Sequence, residues 1–380
     1  MKKVLILLVF TLLLAEINAS AMTFKTGDDT IDLYGSLRAF TVFNHVDKGD
    51  IMAVNRDQFV IGLQSNSRAG VRWTRGKFFV NGEWGFSASD NNVTLRYMYG
   101  QYTTDNGGKF RIGQIPGISY SDGPFDRKLS ADNGLQGFGT ITDVRRVGIN
   151  YEINGFSISA LSMRQDSSRI VTSDMLGGTF RELMPRIEAA YTVSSVRFGG
   201  SFVASSTRDM SDADSKTYNV SAGHIAFSAD PTIADKTKFL VSAFYGVNSG
   251  IYDMGSIAVA QNDNEGISRS NMILPRQKEA GNPEKFDNTT AFGGAVGFLV
   301  DKFEAGFGIQ STNNDQWEES VTGMGVYANY KYRLSNFRIT PEVGYLNTGN
   351  NSGSRGVTKG NSVTKGIWAL QFGIQFRMDI

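Results

Sequence analysis

Large apolar residues alternate with polar or small ones through most of this chain, and no other feature limits its fold as strongly. The clearest case is the segment 364–380. One parity there holds Trp368, Leu370, Phe372, Ile374, Phe376, Met378 and Ile380. Because alternate residues of a strand point to the same side, this pattern places the large apolar groups on one face. The alternation therefore predicts β-strands, each with one apolar face.

The alternating pattern recurs in sixteen segments. They span 31–43, 57–73, 77–88, 93–103, 109–116, 144–153, 156–165, 181–193, 195–207, 216–229, 237–248, 289–300, 302–312, 320–333, 336–348 and 364–380. After the N-terminal run Val4–Ala15 the chain has no further long apolar stretch, so any membrane role must use strands. The sequence thus predicts an all-β chain with an even number of strands.

The connections between these segments alternate in length. The tight ones contain Arg75-Gly76, Asn154-Gly155, Ser194, Asp301 and Leu334-Ser335. The longest are 117–143, with 27 residues, and 249–288, with 40 residues. An even number of antiparallel strands with tight turns at one end and long loops at the other is typical of an outer-membrane barrel. The prediction is a 16-stranded antiparallel transmembrane β-barrel.

Aromatic residues recur close to the predicted strand ends. They include Trp73, Tyr151, Phe156, Tyr191, Phe303, Tyr332 and Phe337. Amphipathic rings favour the boundary between hydrocarbon and water, so these positions suit an interfacial girdle. Aromatic residues also favour strands in general, which is the alternative explanation.

The N-terminus has the form of a secretory signal peptide. Lys2 and Lys3 precede an apolar run from Val4 to Ala15, and Ala19-Ser20-Ala21 provides small residues for cleavage. The run is shorter than the roughly 20 residues that span a bilayer. We expect residues 1–21 to be removed, which leaves 22–380 as a single transmembrane barrel domain.

The composition excludes several classes of site. The chain has no Cys, only the two His residues His45 and His224, and 38 basic against 37 acidic residues. A disulfide framework is impossible, a multi-histidine metal site within the chain is nearly excluded, and balanced charge does not indicate a nucleic-acid partner. We expect no cofactor and no bound metal.

The mature chain resembles the Gram-negative trimeric general porins, which allow passive diffusion across the outer membrane. The resemblance rests on the opening Leu33-Tyr34-Gly35-Ser36-Leu37-Arg38, the sixteen strands, the long connection after strand five, and the closing Gln371-Phe372-Gly373-Ile374-Gln375-Phe376. It implies a homotrimer in the bacterial outer membrane, in contact with lipid that includes lipopolysaccharide. The chain departs from the family in its end, Met378-Asp379-Ile380, and in the short connection 89–92.

If the apolar parity faces lipid, the opposite parity lines the barrel lumen. On strands one to six that parity carries a basic wall formed by Arg38, Arg68, Arg72, Arg96, Arg111 and Arg146. It also carries Asn81 and the acidic residues Asp32, Glu83 and Glu152, so this half of the wall is net positive. Arginine suits a pore wall because it stays charged and is weakly hydrated.

The segment 117–143 is predicted to narrow the channel. In the resembled family the loop after strand five folds into the barrel, and its acidic groups face the arginines; here those groups are Asp122, Asp126 and Asp132. A sixteen-stranded barrel is too wide for its side chains to fill, so selectivity requires an obstruction. The alternative is an ordinary exposed loop with solvated charges.

The function that these features favour is passive diffusion of small hydrophilic solutes and ions through a charged, water-filled pore. A substrate-selective channel is the alternative; it would call for a lumen stripe of aromatic residues or a dense cluster of lysines, and neither is evident in the sequence. An adhesin or an enzyme built on a barrel ranks lower. Hydrolysis needs a base, and His45 and His224 have no evident partner, so we expect no catalysis.

Overall fold

The computed structural model describes residues 22–47, 56–64, 66–87, 92–129, 135–142, 145–162, 180–208, 217–252, 276–279, 282–314, 320–347 and 368–379. The predicted signal peptide, Asp132 and most of the connections 89–92 and 249–288 lie outside these ranges. No helix in the described ranges is long and apolar enough to cross a membrane.

The described chain forms one closed barrel of sixteen antiparallel strands, as the alternation predicts. The strands are β1 (Asp29–Asp47), β2 (Arg56–Leu63 and Ser67–Arg75), β3 (Phe78–Ser87), β4 (Asn92–Thr103), β5 (Lys109–Ile115), β6 (Arg146–Ile153), β7 (Phe156–Leu161), β8 (Phe180–Glu182 and Arg186–Val193), β9 (Val196–Arg208), β10 (Thr217–Ala229, continued by Thr232–Ala234), β11 (Thr237–Val247), β12 (Thr289–Val300), β13 (Phe303–Asn314), β14 (Val321–Tyr330, continued by Tyr332–Leu334), β15 (Phe337–Asn347) and β16 (Trp368–Asp379). Each strand pairs with its sequence neighbours, and β16 pairs with β1 to close the ring.

Two-residue turns connect most of the strand pairs at one end of the barrel, and a five-residue turn, 104–108, connects β4 and β5. At the turn between β6 and β7, Asn154 (φ 49°) and Gly155 (φ 81°) both have positive φ, as a type I′ hairpin requires. Ser194, Asp301 and Ser335 also have positive φ at the tight turns that the sequence predicts. Positive φ at these residues lets the chain reverse direction while the two strands that it connects stay paired.

The outer surface of the barrel carries the apolar parity. Phe59, Ile61, Ile112, Phe198 and Phe292 are among the large apolar side chains that stay exposed on the strands. A monomeric soluble protein rarely exposes apolar area on this scale. The alternate residues of the same strands are buried or half-buried and point inward, so the lipid-facing parity and the lumen parity are those that the sequence predicts.

A short strand at the start of the described chain extends the seam between β1 and β16. Met22–Thr26 forms a hairpin with β1, with Met22 opposite Leu33, while β16 pairs with β1 from Ser36 onward. The strand therefore continues the line of β16 toward the turns. A separate two-stranded sheet pairs Arg276–Glu279 with Asn282–Asp287, and Ser249–Tyr252 is a 3₁₀ helix.

Candidate functional site

The predicted basic wall lies on the inner face of β1–β6, and we call this face the arginine wall. The strand register places Ser36 opposite Arg68 and Asp32 opposite Arg72. It also places Arg111 opposite Asn150, and Arg146 opposite Ile115. Arg38 lies on the same face of β1 as Ser36, to whose hydroxyl oxygen its Nε donates over 3.1 Å. The wall is thus built from alternate residues of neighbouring strands.

Glu83 of β3 forms ion pairs with two of these arginines. The carboxylate is buried and lies 2.7 Å from Arg96 Nε and 3.5 Å from Arg68 Nε, and Tyr34 donates its hydroxyl to it over 3.0 Å. The register between β3 and β4 shifts between Glu83 and Trp84, which brings Arg96 toward this carboxylate. The Tyr34 hydroxyl oxygen also lies 2.9 Å from Oδ1 of the predicted lumen residue Asn81.

A second acidic group pairs with the wall near the tight turns. Glu152 lies 2.8 Å from Arg111 Nη1 and 3.2 Å from Lys109 Nζ. Arg111 also donates to the side-chain oxygen Oε1 of Gln101 over 2.7 Å and to Oδ1 of Asn150 over 2.9 Å. These bonds spread the Arg111 side chain across three strands.

The segment 117–143 contacts the inner face of β8–β16, which we call the loop-bearing wall. Glu188 of β8 accepts hydrogen bonds from the Ile118 amide and the Ser119 hydroxyl, both over 2.7 Å. The Ser119 carbonyl oxygen lies 2.7 Å from His224 Nε2 of β10. Arg186, which is fully buried, lies 3.0 Å from Glu188. One end of the segment is therefore fixed to β8 and β10.

Two further glutamates hold the middle of the segment. Glu304 of β13 accepts from the Asp126 amide over 2.6 Å, and Glu342 of β15 accepts from the Lys128 amide over 2.6 Å and from the Leu129 amide over 3.2 Å. Arg127 Nε lies 3.6 Å from Glu342. Hydrogen bonds to ionised acceptors are stronger than neutral ones, so each carboxylate is a firm anchor.

Backbone packing brings the segment close to the loop-bearing wall. A Cβ atom on Gly308 of β13 would lie 2.0 Å from the Phe138 carbonyl oxygen. The Phe125 ring approaches Gly306 of β13, and Phe125 and Phe138 belong to one buried apolar cluster with Leu240, Tyr327 and Leu346. Leu129, at the end of the first described stretch, packs on Phe40 and Val42 of β1.

The acidic residues predicted for this segment take different positions. Asp126 pairs with the Lys128 ammonium and lies 2.9 Å from Lys331 Nζ, so its carboxylate is neutralised within the segment and by β14. Burial works to raise the pKa of the Asp126 carboxyl, but Lys128 and Lys331 outweigh it and hold that pKa below its usual range. The Asp122 amide donates to the Ile141 carbonyl oxygen over 3.1 Å.

The sequence reasoning passed over the charged residues of β8–β16. Glu188, Glu304 and Glu342 anchor the segment, and Lys331 neutralises part of it, whereas the predicted lumen charges lie only on β1–β6 and in the segment. The three glutamates occupy the inward parity of their strands, and Lys331 joins the two parts of β14 two residues after the inward Asn329. The alternation therefore predicts that these side chains point inward. It does not predict which backbone amides of the segment they bind. In the described ranges no His, Asp and Glu side chains are grouped to hold a metal ion.

Comparison with known proteins identifies the fold. No protein-family model matches the sequence, and no curated protein matches it. Among solved structures, the outer-membrane channel DcaP of Acinetobacter baumannii aligns with a TM-score of 0.59 at 17% identity, covering 94% of this chain and 99% of DcaP. OmpT of Vibrio cholerae aligns with a TM-score of 0.54 at 18% identity, covering 95% of this chain and 100% of OmpT.

A third structure, Salmonella typhi OmpF in complex with daunomycin, aligns with a TM-score of 0.51 at 13% identity, covering 93% of this chain and 100% of OmpF. At these identities the likeness shows the fold. The chain is a sixteen-stranded barrel of the outer-membrane type, the architecture of porins and channels. Together with the exposed apolar surface, that fold places the chain in the outer membrane.

Proposed function

We propose that the barrel is a porin-like channel for passive diffusion of small hydrophilic solutes and ions. The observation that carries this proposal is the set of hydrogen bonds from the amides of Ile118, Asp126 and Lys128 to carboxylates on the inner face of three strands. A segment held on these side chains occupies part of a lumen that a sixteen-stranded barrel cannot fill. The remaining passage runs along the arginine wall.

The mechanism is sieving by size and by charge. The segment 117–143 narrows the lumen, and the guanidinium groups of Arg68, Arg72 and Arg111, which keep exposed surface, face the passage. Because low-dielectric walls focus the field of such charges, polar solutes and anions are favoured over apolar ones. Asp126 adds little negative charge to the passage, since two ammonium groups neutralise it. For Asp122 and Asp132 a place facing the arginines stays a prediction.

The assembly that we propose is a homotrimer in contact with outer-membrane lipid, including lipopolysaccharide, that forms after cleavage before Met22. One OmpT structure is described as a trimer form. The exposed apolar side chains of β1 and β16, among them Leu37 and Phe372, suit either a neighbouring subunit or lipid. Cross-linking in membranes tests the trimer, and N-terminal sequencing of the membrane protein tests the cleavage site.

Conductance in planar lipid bilayers tests the channel. We expect the purified full chain to open ohmic channels that close in three steps if the protein is trimeric. Uptake of sugars of graded size into liposomes should fall steeply with size and should not saturate. Absence of any conductance from correctly folded barrels would contradict the proposal.

One observation favours the substrate-selective alternative. Aromatic rings and guanidinium groups alternate on the inner face of β1–β5, where Arg72 lies over the Tyr34 ring at 4.1 Å from its centroid. A diffusion channel does not need such a surface. Saturation of solute flux separates the two functions, since a site that binds its solute fills as the concentration rises.

A further inference from the structure

Four aromatic side chains lie on the inner face of the arginine wall. They are Tyr34, Phe79, Tyr97 and Tyr99, all of the inward parity. The Phe79 and Tyr99 ring centroids lie 6.0 Å apart, and the Tyr97 and Tyr99 rings meet edge to face at 6.3 Å. All four are half-buried, so they keep surface open to the lumen.

Strand pairing arranges this surface in two rows across β2–β5. In the first row, Arg72 lies opposite Asn81, which lies opposite Tyr99. In the second row, Phe79 lies opposite Gln101, which lies opposite Arg111. Each row therefore has a side-chain amide in the middle, with a guanidinium group at one end and an aromatic ring at the other. The two rows run in opposite directions across the strands. We call these six residues the aromatic–arginine patch.

The distances across the patch follow from the sheet. Neighbouring strands lie about 4.8 Å apart, so the two ends of a row are separated by roughly 10 Å. The Cα positions of successive inward residues on one strand, such as Tyr99 and Gln101, are about 7 Å apart. A small molecule lying flat on Tyr99 or Phe79 is therefore within side-chain reach of a guanidinium group in either row.

The charges of the patch leave one guanidinium without an acidic partner. Glu83 pairs with Arg96 and Arg68, and Glu152 pairs with Arg111 and Lys109. Arg72 is exposed and stacks on Tyr34, and within the described ranges no carboxylate lies within ion-pair distance of it. A guanidinium group held flat by a ring keeps its N–H groups available for the two oxygens of a carboxylate.

We propose that the aromatic–arginine patch binds planar anionic solutes, and aromatic carboxylates in particular, as they pass through the channel. The ring of the solute stacks on Tyr99 or Phe79, and its carboxylate pairs with Arg72 or Arg111. Aromatic rings prefer offset or edge-to-face contact at these separations, as the rings of the patch already show. A neutral sugar could stack on the rings but would not pair with the guanidinium groups. An aliphatic anion could pair with a guanidinium group but would not stack on a ring.

The inference rests on the proposed function, since it assumes that the barrel conducts. The first test measures the block of ion current through the full chain in planar bilayers by four solutes. They are benzoate, cyclohexanecarboxylate with the same charge and no aromatic ring, benzamide with the ring and no charge, and maltose. We expect benzoate to reduce the current saturably, at a concentration several-fold lower than the other three require.

Matched variants assign the block to the patch. Tyr99→Leu removes a stacking ring, and Tyr102→Leu makes the same change three residues along β4, on its outer face. Arg72→Gln removes the stacked guanidinium, and Arg75→Gln makes the same change at the exposed strand end. We expect Tyr99→Leu and Arg72→Gln each to weaken the benzoate block several-fold, and both controls to leave it unchanged.

The outcomes separate the two proposals. If the channel conducts but cyclohexanecarboxylate blocks as well as benzoate, or if Tyr99→Leu leaves the block unchanged, the patch is not an aromatic-acid site and diffusion alone stands. A stronger block by maltose would assign the aromatic rings to sugars and overturn the inference. If no variant and no wild-type protein conducts, it is the proposed function that fails.

Discussion

The arginine wall and the loop-bearing wall are built by the same rule and have different properties. In both, charged residues occupy the inward parity of neighbouring strands. On the loop-bearing wall Glu188 and Glu304 are each 1% exposed, and their oxygens hold the segment. On the arginine wall the Arg111 side chain is 18% exposed and that of Arg68 is 28% exposed.

The difference shows that strand parity fixes where a charge points but not what it does there. A carboxylate covered by the segment must be fully bonded, because an unpaired buried charge is costly. It therefore acts as part of the scaffold. A guanidinium group that the segment leaves uncovered would keep its field in the passage that we propose. Selectivity should then depend on the arginine wall, and pore size on the loop-bearing wall.

The largest expected effect comes from Glu342→Ala. This change removes the acceptor of the Lys128 and Leu129 amides and leaves Arg127 without its carboxylate. Breaking a buried pair in this way costs about 3–5 kcal/mol, so the segment should detach from β15. Single-channel conductance should rise, and larger sugars should enter liposomes.

Glu152→Ala is the matched control for that change, since Glu152 is an inward glutamate of the arginine wall that contacts Arg111 and Lys109 and no amide of the segment. It should alter ion selectivity and leave the size limit unchanged. If both variants enlarged the pore equally, the assignment of the two walls would be wrong.

Gly308→Ala should open the pore without any change of charge. The added methyl group would collide with the Phe138 carbonyl oxygen, and backbone cannot yield as a flexible side chain does. Overpacking of this kind typically costs about 1–3 kcal/mol. We expect higher conductance, while Gly100→Ala, where a Cβ atom would meet nothing within 4 Å, should behave as the wild type. A normal conductance in Gly308→Ala would contradict the packing of the segment.

The double variant Arg72→Gln/Arg111→Gln should change selectivity more than size. Each lost charge alters the energy of a passing ion by about 1 kcal/mol at 4 Å in water, which is a several-fold change in relative permeability. The reversal potential in a salt gradient should shift toward cations, with sugar uptake retained. Arg75→Gln serves as the control, and an unshifted reversal potential in the double variant would show that solutes do not pass along this wall.

The smallest effect that we expect is on the acid response of the segment. A carboxyl whose pKa is lowered by folding contributes stability that is present above its unfolded pKa of about 3.9 and is lost only as the pH falls through the lower folded value. Asp126 should therefore help to hold the segment as the pH falls through about 4.

Lys331→Met tests that response, because removing one ammonium group lets the pKa of Asp126 rise and moves the loss to higher pH. Conductance followed from neutral to acid pH measures it, and Lys302→Met, which removes an exposed ammonium group at the β12–β13 turn, is the control. An identical acid response in all three proteins would show that the pair with Lys331 does not hold the segment.

Strand number, register parity and tight turns could be predicted from the sequence, because alternation and turn residues are local signals. The break in β2 at Gln64 could not be predicted from the sequence. The Gln64 side chain reaches the Lys128 carbonyl oxygen and Gln375, which are far away in the chain. Met22–Thr26 was also missed, since five residues give too short a pattern to distinguish a strand from a leader.

The same limit applies to the site. The inward direction of Arg72 and Arg111 follows from alternation along β2 and β5, but their placement beside Tyr99 and Phe79 depends on the register between strands. The sequence analysis saw no lumen stripe of aromatic residues for this reason. The partners of Asp126 were equally hidden, because Lys331 lies 205 positions along the chain.

Thiol labelling during current recording tests the central claim most directly, since the chain has no cysteine of its own. Gln101 and Tyr102 are consecutive residues of β4 that lie on opposite faces. A charged, membrane-impermeant methanethiosulfonate reagent should change the current through Gln101→Cys at once and leave Tyr102→Cys unaffected. Modification of Tyr102→Cys with no response from Gln101→Cys would show that the charged face does not line the passage.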